Sequence, residues 1–396
     1  MKNVVFVDAV RTPFGKLGGG LRSFFPAELC GMAIGELLNR TKIQERGKVD
    51  SVFVGSAGGD PRSCNMARYA ALYAGLPHEI VASYIEMQCG SAIDCINHAA
   101  WKIMTGNADV VVAGGAESYS QRAAHFSMAT EPYKLIPPTA IKNRLSPVDE
   151  ECIDMVTISN LMGEKWNVTR EECDAFALRS QTLAAEAMKS GWLDDQLFNI
   201  VIPATRKTPE VVISKDEQPR ETTLEGLQKL SPVQGSGVTT AGNASGRNDG
   251  AAVVLMMSEE KAKELGYTPI ARWVASAEMG VDPRYMGIGP AYSNVKLLKQ
   301  VGLSLGDIRV FECNEAFAVQ NLSVIREMED QLGGTIDMDR WNPHGGAIAF
   351  GHPNGASGAR ITMHAMKHLQ QNGGGYGLIS SCCGGGLGVS TLIEVL

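Results

Sequence analysis

The sequence predicts an α/β fold made from one unit used twice, and three observations carry that prediction. Apolar runs of strand length alternate with segments whose apolar residues recur at helical spacing, the pattern of layered sheets and helices. Asp50-Ser51-Val52-Phe53-Val54-Gly55 is echoed by Asp307-Ile308-Arg309-Val310-Phe311-Glu312, each a strand entered through Asp. Cys89 with its Gly/Ser turn, a helix and a strand ending Ala113-Gly114-Gly115 is matched by His352, the turn Pro353 to Gly358, a helix Ala359 to Gln370 and a strand Tyr376 to Cys382 that runs into three glycines. Such a duplication stacks two similar sheets. It also brings the loops bearing Cys89 and His352 together at strand ends, where α/β sheets bind ligands.

Taken in order, Val4 to Val10 reads as a buried strand followed by the Pro/Gly loop Arg11 to Gly15. A helix follows over Pro26 to Leu38, then a strand over Ser51 to Val54 and a helix over 65–75. The β-capable run Ile80 to Met87 leads into Glu-Met-Gln-Cys-Gly-Ser-Ala at 86–92. After it Ala92, Ile93, Ile96, Ala99, Ala100 and Ile103 keep helical spacing until Gly106 stops the pattern. The run Ala108 to Ala113, centred on three Val, suits a strand buried on both faces. From Glu117 to about Thr239 Met, Pro and charged residues rise, and β-runs are scarce apart from Ile200 to Pro203 and Val211 to Ser214. The clearest helix there is Arg170 to Lys189, with Thr169 as N-cap. The expected division is 1–116 as an N-terminal α/β half, 117–245 as an inserted loop domain, 246–270 as a return to the first half, and 271–396 as the C-terminal half.

Composition narrows the function. A net charge of −7 argues against a polyanion binder, so nucleic acid is not expected, and any phosphate must meet a local basic patch. No apolar run reaches membrane-spanning length and the start lacks a secretory h-region, so a cytoplasmic protein with no membrane partner is expected. Nine Cys without a CxxC pair suit reduced thiols. No GxGxxG follows a strand, so no nicotinamide site is expected. His364 and His368, at i and i+4, read as a solvated helix face, and no metal is expected.

Four stretches carry chemistry: Cys89, Asn314-Glu315-Ala316-Phe317, Gly351-His352-Pro353-Asn354-Gly355 and Cys382-Cys383-Gly384-Gly385-Gly386. Cys89 stands where a strand hands over to a helix, and the backbone N–H groups and dipole there favour a thiolate near neutral pH. Together the stretches supply a nucleophile, a polar positioning group, a base and a second thiol beside backbone N–H donors. That set fits acyl transfer through a thioester.

Seen jointly with Val10-Arg11-Thr12-Pro13-Phe14-Gly15-Lys16, Thr240-Ala241-Gly242-Asn243-Ala244-Ser245, Met286-Gly287-Ile288-Gly289-Pro290 and Gly345 to Pro353, these stretches resemble the thiolase family in order along nearly the whole chain. The resemblance implies a duplicated βαβαβαββ unit in stacked α/β/α/β/α layers with an inserted loop domain. It implies that Cys89 takes the acyl group, His352 activates it and helps bind a thioester oxygen, Cys382 moves protons, and Asn314 positions a water in an oxyanion site. The N–H groups of Cys89 and Gly384 would form a second oxyanion site. Arg220, Leu230 and Ser245 match coenzyme A contacts, with Phe317 and Arg247 placed beside them. Coenzyme A would be a substrate, no cofactor is implied, and a homotetramer or homodimer is.

The implied reaction is thiolytic cleavage of 3-oxoacyl-CoA and the reverse Claisen condensation. A decarboxylating ketoacyl synthase-like enzyme and a non-catalytic acyl-CoA binding module are the alternatives. Against the first stands Cys382, where such enzymes usually carry a second His. Departures from the family pattern are Asp154, where many acetyl-condensing members carry His, Gln234 in place of an aromatic, and Arg247 in place of an apolar residue. Asp154 near the acyl end would disfavour a second carboxylate on the substrate. Arg247 reads either as a cation for coenzyme A phosphates or as an ion-pair partner of Asp249.

Overall fold

A computed structural model describes residues 1–127, 131, 133–134 and 136–396. The first half contributes strands β1 (Val4–Arg11), β2 (Gly15–Lys16), β3 (Ser51–Gly55), β4 (Val81–Ile85) and β5 (Val110–Ser118). Two small antiparallel ladders stand apart, β6 (His125–Phe126) with β7 (Ala140–Ile141) and β8 (Ile200–Ile202) with β9 (Val211–Ile213). β10 (Asn248–Ser258) returns to the first half, and β11 (Ala271–Gly280), β12 (Ile308–Cys313), β13 (Gly375–Cys383) and β14 (Leu387–Val395) form the second.

The strand order β12-β13-β14-β11-β1-β10-β5-β3-β4 shows the duplication. In the first half β3 runs parallel to β5, and β10 is antiparallel to β5; in the second β12 runs parallel to β13, and β14 is antiparallel to β13. The halves join edge to edge through Val4–Trp273, Val5–Arg272 and Phe6–Ala271. The copies differ in one place. Where the first half has β4 beside β3, the second has a lone parallel bridge between Phe311 and Trp341.

Burial sorts the helices into layers. Pro26–Thr41 and Met66–Tyr73 cover the outer face of the first half, packing with Val52, Val54, Val253 and Leu255. Gly289–Val301 and Ala318–Leu332 cover the outer face of the second. Ser91–Met104 and Asn354–Gln371 share a core with residues from both halves of the sheet and form the middle layer. The result is the α/β/α/β/α stack.

The middle helix begins at Asn354, ahead of the Ala359 expected from the sequence, because its small residues serve packing rather than a turn. A Cβ on Gly355 would stand 2.5 Å from the Gly55 carbonyl oxygen, and one on Gly358 would stand 2.8 Å from the Ile93 nitrogen. β5 likewise runs through Gly114 and Gly115 to Ser118 instead of ending there. The expectation of a solvated His364 and His368 face is corrected by this layering. His364 is fully buried, edge-on to Trp192 and Phe350 with ring centroids at 5.0 and 5.7 Å, and His368 is half-buried with Nδ1 3.1 Å from His344 Nε2. A helix enclosed between the two halves of the sheet leaves His364 no solvent side and His368 only part of one. Among the described residues no group of three or more His, Cys, Asp or Glu is arranged for a metal, and no helix is long and apolar enough to cross a membrane.

Gly115 carries the tightest test of the junction, since a Cβ there would stand 2.2 Å from the Gly55 oxygen and 2.3 Å from the Gly355 oxygen. Both obstacles are backbone and cannot rotate away. Gly115→Ala is expected to lower stability by about 1–3 kcal/mol, the usual scale for overpacking. Urea denaturation reads this directly, and a midpoint equal to the parent's would show that the halves are not locked at this residue.

Candidate active site

The nucleophile loop begins where β4 ends. Gln88 takes φ 47°, a left-handed conformation that costs a non-glycine residue roughly 1–2 kcal/mol. It is held there by Glu86, whose Oε1 accepts from both the Gln88 backbone N–H and its Nε2 at 2.7 Å. Ser91 Oγ accepts from Met87 N–H at 2.9 Å and donates to the Gln88 carbonyl at 2.7 Å. Gly90 crosses over Cys383, so close that a Cβ would stand 2.4 Å from its Sγ. Cys89 is thereby presented at the start of the helix Ser91–Met104.

His352 is fixed from three sides. Its N–H donates to Asn248 Oδ1 at 2.9 Å, and Gly351, at φ 95°, lies against the same amide. Its Nδ1 is 2.6 Å from Ser357 Oγ, which donates to the Pro353 carbonyl at 3.2 Å, and Asn314 Nδ2 donates to Nε2 at 3.3 Å. These partners select the neutral tautomer with hydrogen on Nδ1. Asn354 Nδ2 donates to Cys89 Sγ at 3.4 Å, and its Oδ1 accepts from the Tyr119 hydroxyl at 3.2 Å. Glu117 ties the two halves at this point, accepting from the backbone of Ala57, Gly58 and Gly355.

Cys89, His352 and Gly384 line one cavity of about 640 Å³, and Ser245, Arg247 and Phe317 line the same cavity. Asn314 reaches it through His352. Cys382 is fully buried on β13, where the neighbouring Ser381 Oγ donates to the Cys89 carbonyl at 3.3 Å. Arg220 and Leu230 do not line this cavity. Arg220 borders a separate cavity of about 620 Å³ beside the helix Arg170–Lys189 and donates to the Ala241 carbonyl at 3.2 Å. Leu230 lies where a Cβ on Gly242 would touch it. The segment 241–247 therefore connects both residues to the cavity.

Two sequence expectations are corrected here. Asp154 caps the helix Met155–Lys165, accepting from Val156 and Thr157 N–H, and Gln234 Nε2 donates to it at 2.8 Å. Neither lines the cavity, because the carboxylate is taken by the helix end; the argument against dicarboxylic acyl groups loses its basis. Arg247 is exposed and forms no ion pair with Asp249, which is buried and accepts from Ser120 N–H at 2.9 Å. Asn354 and Ser357 were visible beside His352 as polar residues, but Tyr119 and Asn248 had no local signal.

Comparison with known proteins agrees with the geometry. The profile "Thiolase, N-terminal domain" matches residues 4–260 and "Thiolase, C-terminal domain" matches 267–395. The chain belongs to the thiolase family. It is 39% identical over 402 residues to an acetyl-CoA acetyltransferase of Syntrophomonas wolfei, with 100% of both chains covered. It is 40% identical over 406 residues to a 3-oxoadipyl-CoA/3-oxo-5,6-dehydrosuberyl-CoA thiolase of Escherichia coli K12, again with 100% of both covered. The crystal structure of the Bacillus anthracis acetyl-CoA acetyltransferase superposes with TM-score 0.92 at 41% identity, covering 100% of this chain and 99% of that one. Human mitochondrial 3-ketoacyl-CoA thiolase gives TM-score 0.90 at 37% identity, with the same coverage. This thiolase is an enzyme of thiolytic cleavage and Claisen condensation on acyl-CoA and coenzyme A, and neither alternative reaction class is favoured.

The electrostatics of the thiolase site differ from the thiolate expected at the helix start. Burial, assisted by the Glu117 carboxylate, pushes the Cys89 thiol up to about 12, and burial with the charge of Arg360 holds His352 down at about 3. Desolvation outweighs the helix end, since His352 is buried and Cys89, which borders the cavity, is only partly open to it. At neutral pH the pair rests as thiol and neutral imidazole. Such a pair can pass a proton from the thiol to the imidazole.

The raised thiol predicts a clear pH dependence. Alkylation of Cys89 in the free enzyme by iodoacetamide is expected to climb steadily through pH 7–9, about tenfold per unit, as the small thiolate fraction grows. Mass spectrometry of the Cys89 peptide against time measures it. A rate plateau already reached below pH 6 would mean a preformed thiolate–imidazolium pair.

Proposed function

We propose that this thiolase works through a Cys89 acyl-enzyme, with His352 as the base and Cys382 as the second proton carrier. The observation that supports this most is the meeting of Cys89, His352 and Gly384 in a single cavity whose other wall is Ser245, Arg247 and Phe317. His352 Nε2 takes the Cys89 proton as Sγ attacks the C3 carbonyl of the 3-oxoacyl-CoA. The C2–C3 bond breaks, the electron pair leaves on C2 of acetyl-CoA, and Cys382 supplies the proton that C2 needs. The Cys382 thiolate then takes the proton of incoming coenzyme A, whose sulfur attacks the acyl carbonyl. Cys89 departs and recovers its proton from His352. Over one cycle Cys89 recovers its own proton, while the proton that Cys382 gives to C2 is replaced by the one it takes from coenzyme A.

Developing negative charge on the substrate oxygens requires donors placed in advance. Asn314 with His352 is our first such site, and the N–H groups of Cys89 and Gly384 the second. The inserted segment 117–245 with Arg220, Leu230, Ser245, Phe317 and Arg247 is our path for coenzyme A, its phosphates meeting Arg247 and Arg220 despite the acidic whole. The end strand β4, with Val81 exposed, fits self-association into a dimer or tetramer.

Two measurements test the assignment. Loss of the magnesium-enolate absorbance of acetoacetyl-CoA on adding coenzyme A should occur without any carrier protein or malonyl group. Cys89→Ala should abolish both turnover and the covalent acetyl group, whereas Cys382→Ala should still be acetylated by acetyl-CoA while losing turnover by about 10²-fold or more, the scale for a missing acid/base group. Intact-mass spectra after brief exposure to acetyl-CoA decide it. An acetyl group on Cys89→Ala and none on Cys382→Ala would reverse the two roles.

A further inference from the structure

We propose that Asn354 is a further catalytic residue of the thiolase reaction, whose side-chain N–H stabilises the Cys89 thiolate, and that Tyr119 is the positioning residue that aims it. The proposal rests on the Cys89 acyl-enzyme. Asn354 opens the helix Asn354–Gln371 and is buried in the wall of the cavity that holds Cys89, His352 and Gly384. Its Nδ2 donates to Cys89 Sγ at 3.4 Å, while its Oδ1 accepts from the Tyr119 hydroxyl at 3.2 Å. Both ends of the amide are spent on side chains of the site.

The ordinary task of an Asn at a helix start is to cap it, its oxygen accepting from backbone N–H groups of the first turn. This helix does not use Asn354 in that way. Gly355 N–H donates to Glu117 at 3.1 Å, and the N–H groups of Ala356 and Ser357 donate to the Pro353 carbonyl at 2.8 and 3.1 Å. Those donors need nothing from the amide. An apolar side chain of similar size would fill the same space without the cost of burying a polar group. Tyr119 decides which end of the amide meets the sulfur. It lies in the turn after β5 between Ser118 and Ser120, and both are tied to Oδ1 of the buried Asp249, through Ser118 Oγ at 3.4 Å and Ser120 N–H at 2.9 Å. With the anchored hydroxyl donating to Oδ1, Nδ2 faces Cys89.

Negative charge forms on Cys89 Sγ when His352 takes the thiol proton, and again when the acyl group leaves for coenzyme A. An N–H aimed at that atom gains strength as the charge forms, because hydrogen bonds to ionised groups are roughly twice as strong as neutral ones. Held from its far end, the amide needs no reorganisation at that moment. The charged and titratable groups that face Cys89, besides His352, are Glu86, Glu117, Arg122, Tyr119, Cys382 and Cys383. Replacing Asn354 by an uncharged residue leaves all of them in place.

The test follows acetylation of Cys89 by acetyl-CoA in the full-length enzyme by mass spectrometry, with iodoacetamide alkylation of the same peptide as a probe of the thiolate. Asn354→Leu removes the donor, and Asn354→Asp keeps the shape and the acceptor for Tyr119 but lacks the N–H. Both should slow acetylation and alkylation about tenfold or more, the scale of a lost hydrogen bond to a charged group. The alkylation rate should keep its climb of about tenfold per pH unit while lying lower at every pH. The kcat for acetoacetyl-CoA should fall by a like factor with KM unchanged. Tyr119→Phe should show the same pattern at roughly threefold, the scale of a neutral bond. Parent rates in both Asn354 variants overturn the proposal, and so does a raised KM at constant kcat, which would make Asn354 a mere wall of the substrate pocket. A parent-like Asn354→Asp beside a slow Asn354→Leu overturns it as well, since the oxygen would then be the end that serves the thiol. A parent-like Tyr119→Phe overturns the part given to Tyr119, and if Asn354→Leu does not fold, Tyr119→Phe decides the whole. Acetylation that survives in Cys89→Ala would instead refute the acyl-enzyme on which this rests.

Discussion

The burial of two helices between the halves of one sheet is the constraint on which the site depends. Ser91–Met104 and Asn354–Gln371 lie together in the middle layer, each beginning at a loop that carries a reactive side chain. For their N-terminal ends to converge, backbone must touch backbone at Gly55, Gly115 and Gly355, where no Cβ fits. Glu117 then seals the contact by accepting from both halves at once. The spacing of Cys89 and His352 is thus set by main chain rather than by flexible side chains, the kind of rigidity a preorganised site needs.

The same burial decides the protonation states. A loop at a helix start favours a thiolate, but burial works against it and holds thiol and imidazole alike toward their neutral forms. Cys89, Cys382 and Cys383 are all raised, and His352, His344 and His364 are all lowered. A proton passing from the neutral thiol to the neutral imidazole creates a pair of opposite charges, which the enclosed site must hold close together. The elbow at Gln88 and the clasp of Ser357 on His352 prepare the geometry for that exchange.

Around this rigid centre lies the segment between β5 and β10. Its side chains at Leu145, Met155 and Arg144 reach the cavity, while Asp154 and Gln234 face each other at a helix cap outside it. Residue type at an aligned position therefore says little about the substrate until its direction is known. Asp154 bears a charge, but the helix end consumes it.

By itself the sequence determined the duplicated α/β architecture, because apolar period and strand-entry residues are local properties: β3 and β12 lie where the two Asp-led runs predicted them. It also determined the chemical inventory, since Cys89, His352, Cys382 and Asn314 sit in ordered motifs. Tertiary structure alone decided what lies out of local reach. The third strand of the second half is reduced to the Phe311–Trp341 bridge, and the glycine-rich turn after His352 proved to be helix because its small residues meet another helix. Asn248, at the start of β10, and Tyr119, in the turn after β5, join the site from places distant in sequence. The resting charge of Cys89 and His352 depends on which groups surround them from several elements at once. Charge in an interior is a property of the whole enclosure, and no single stretch of chain contains it.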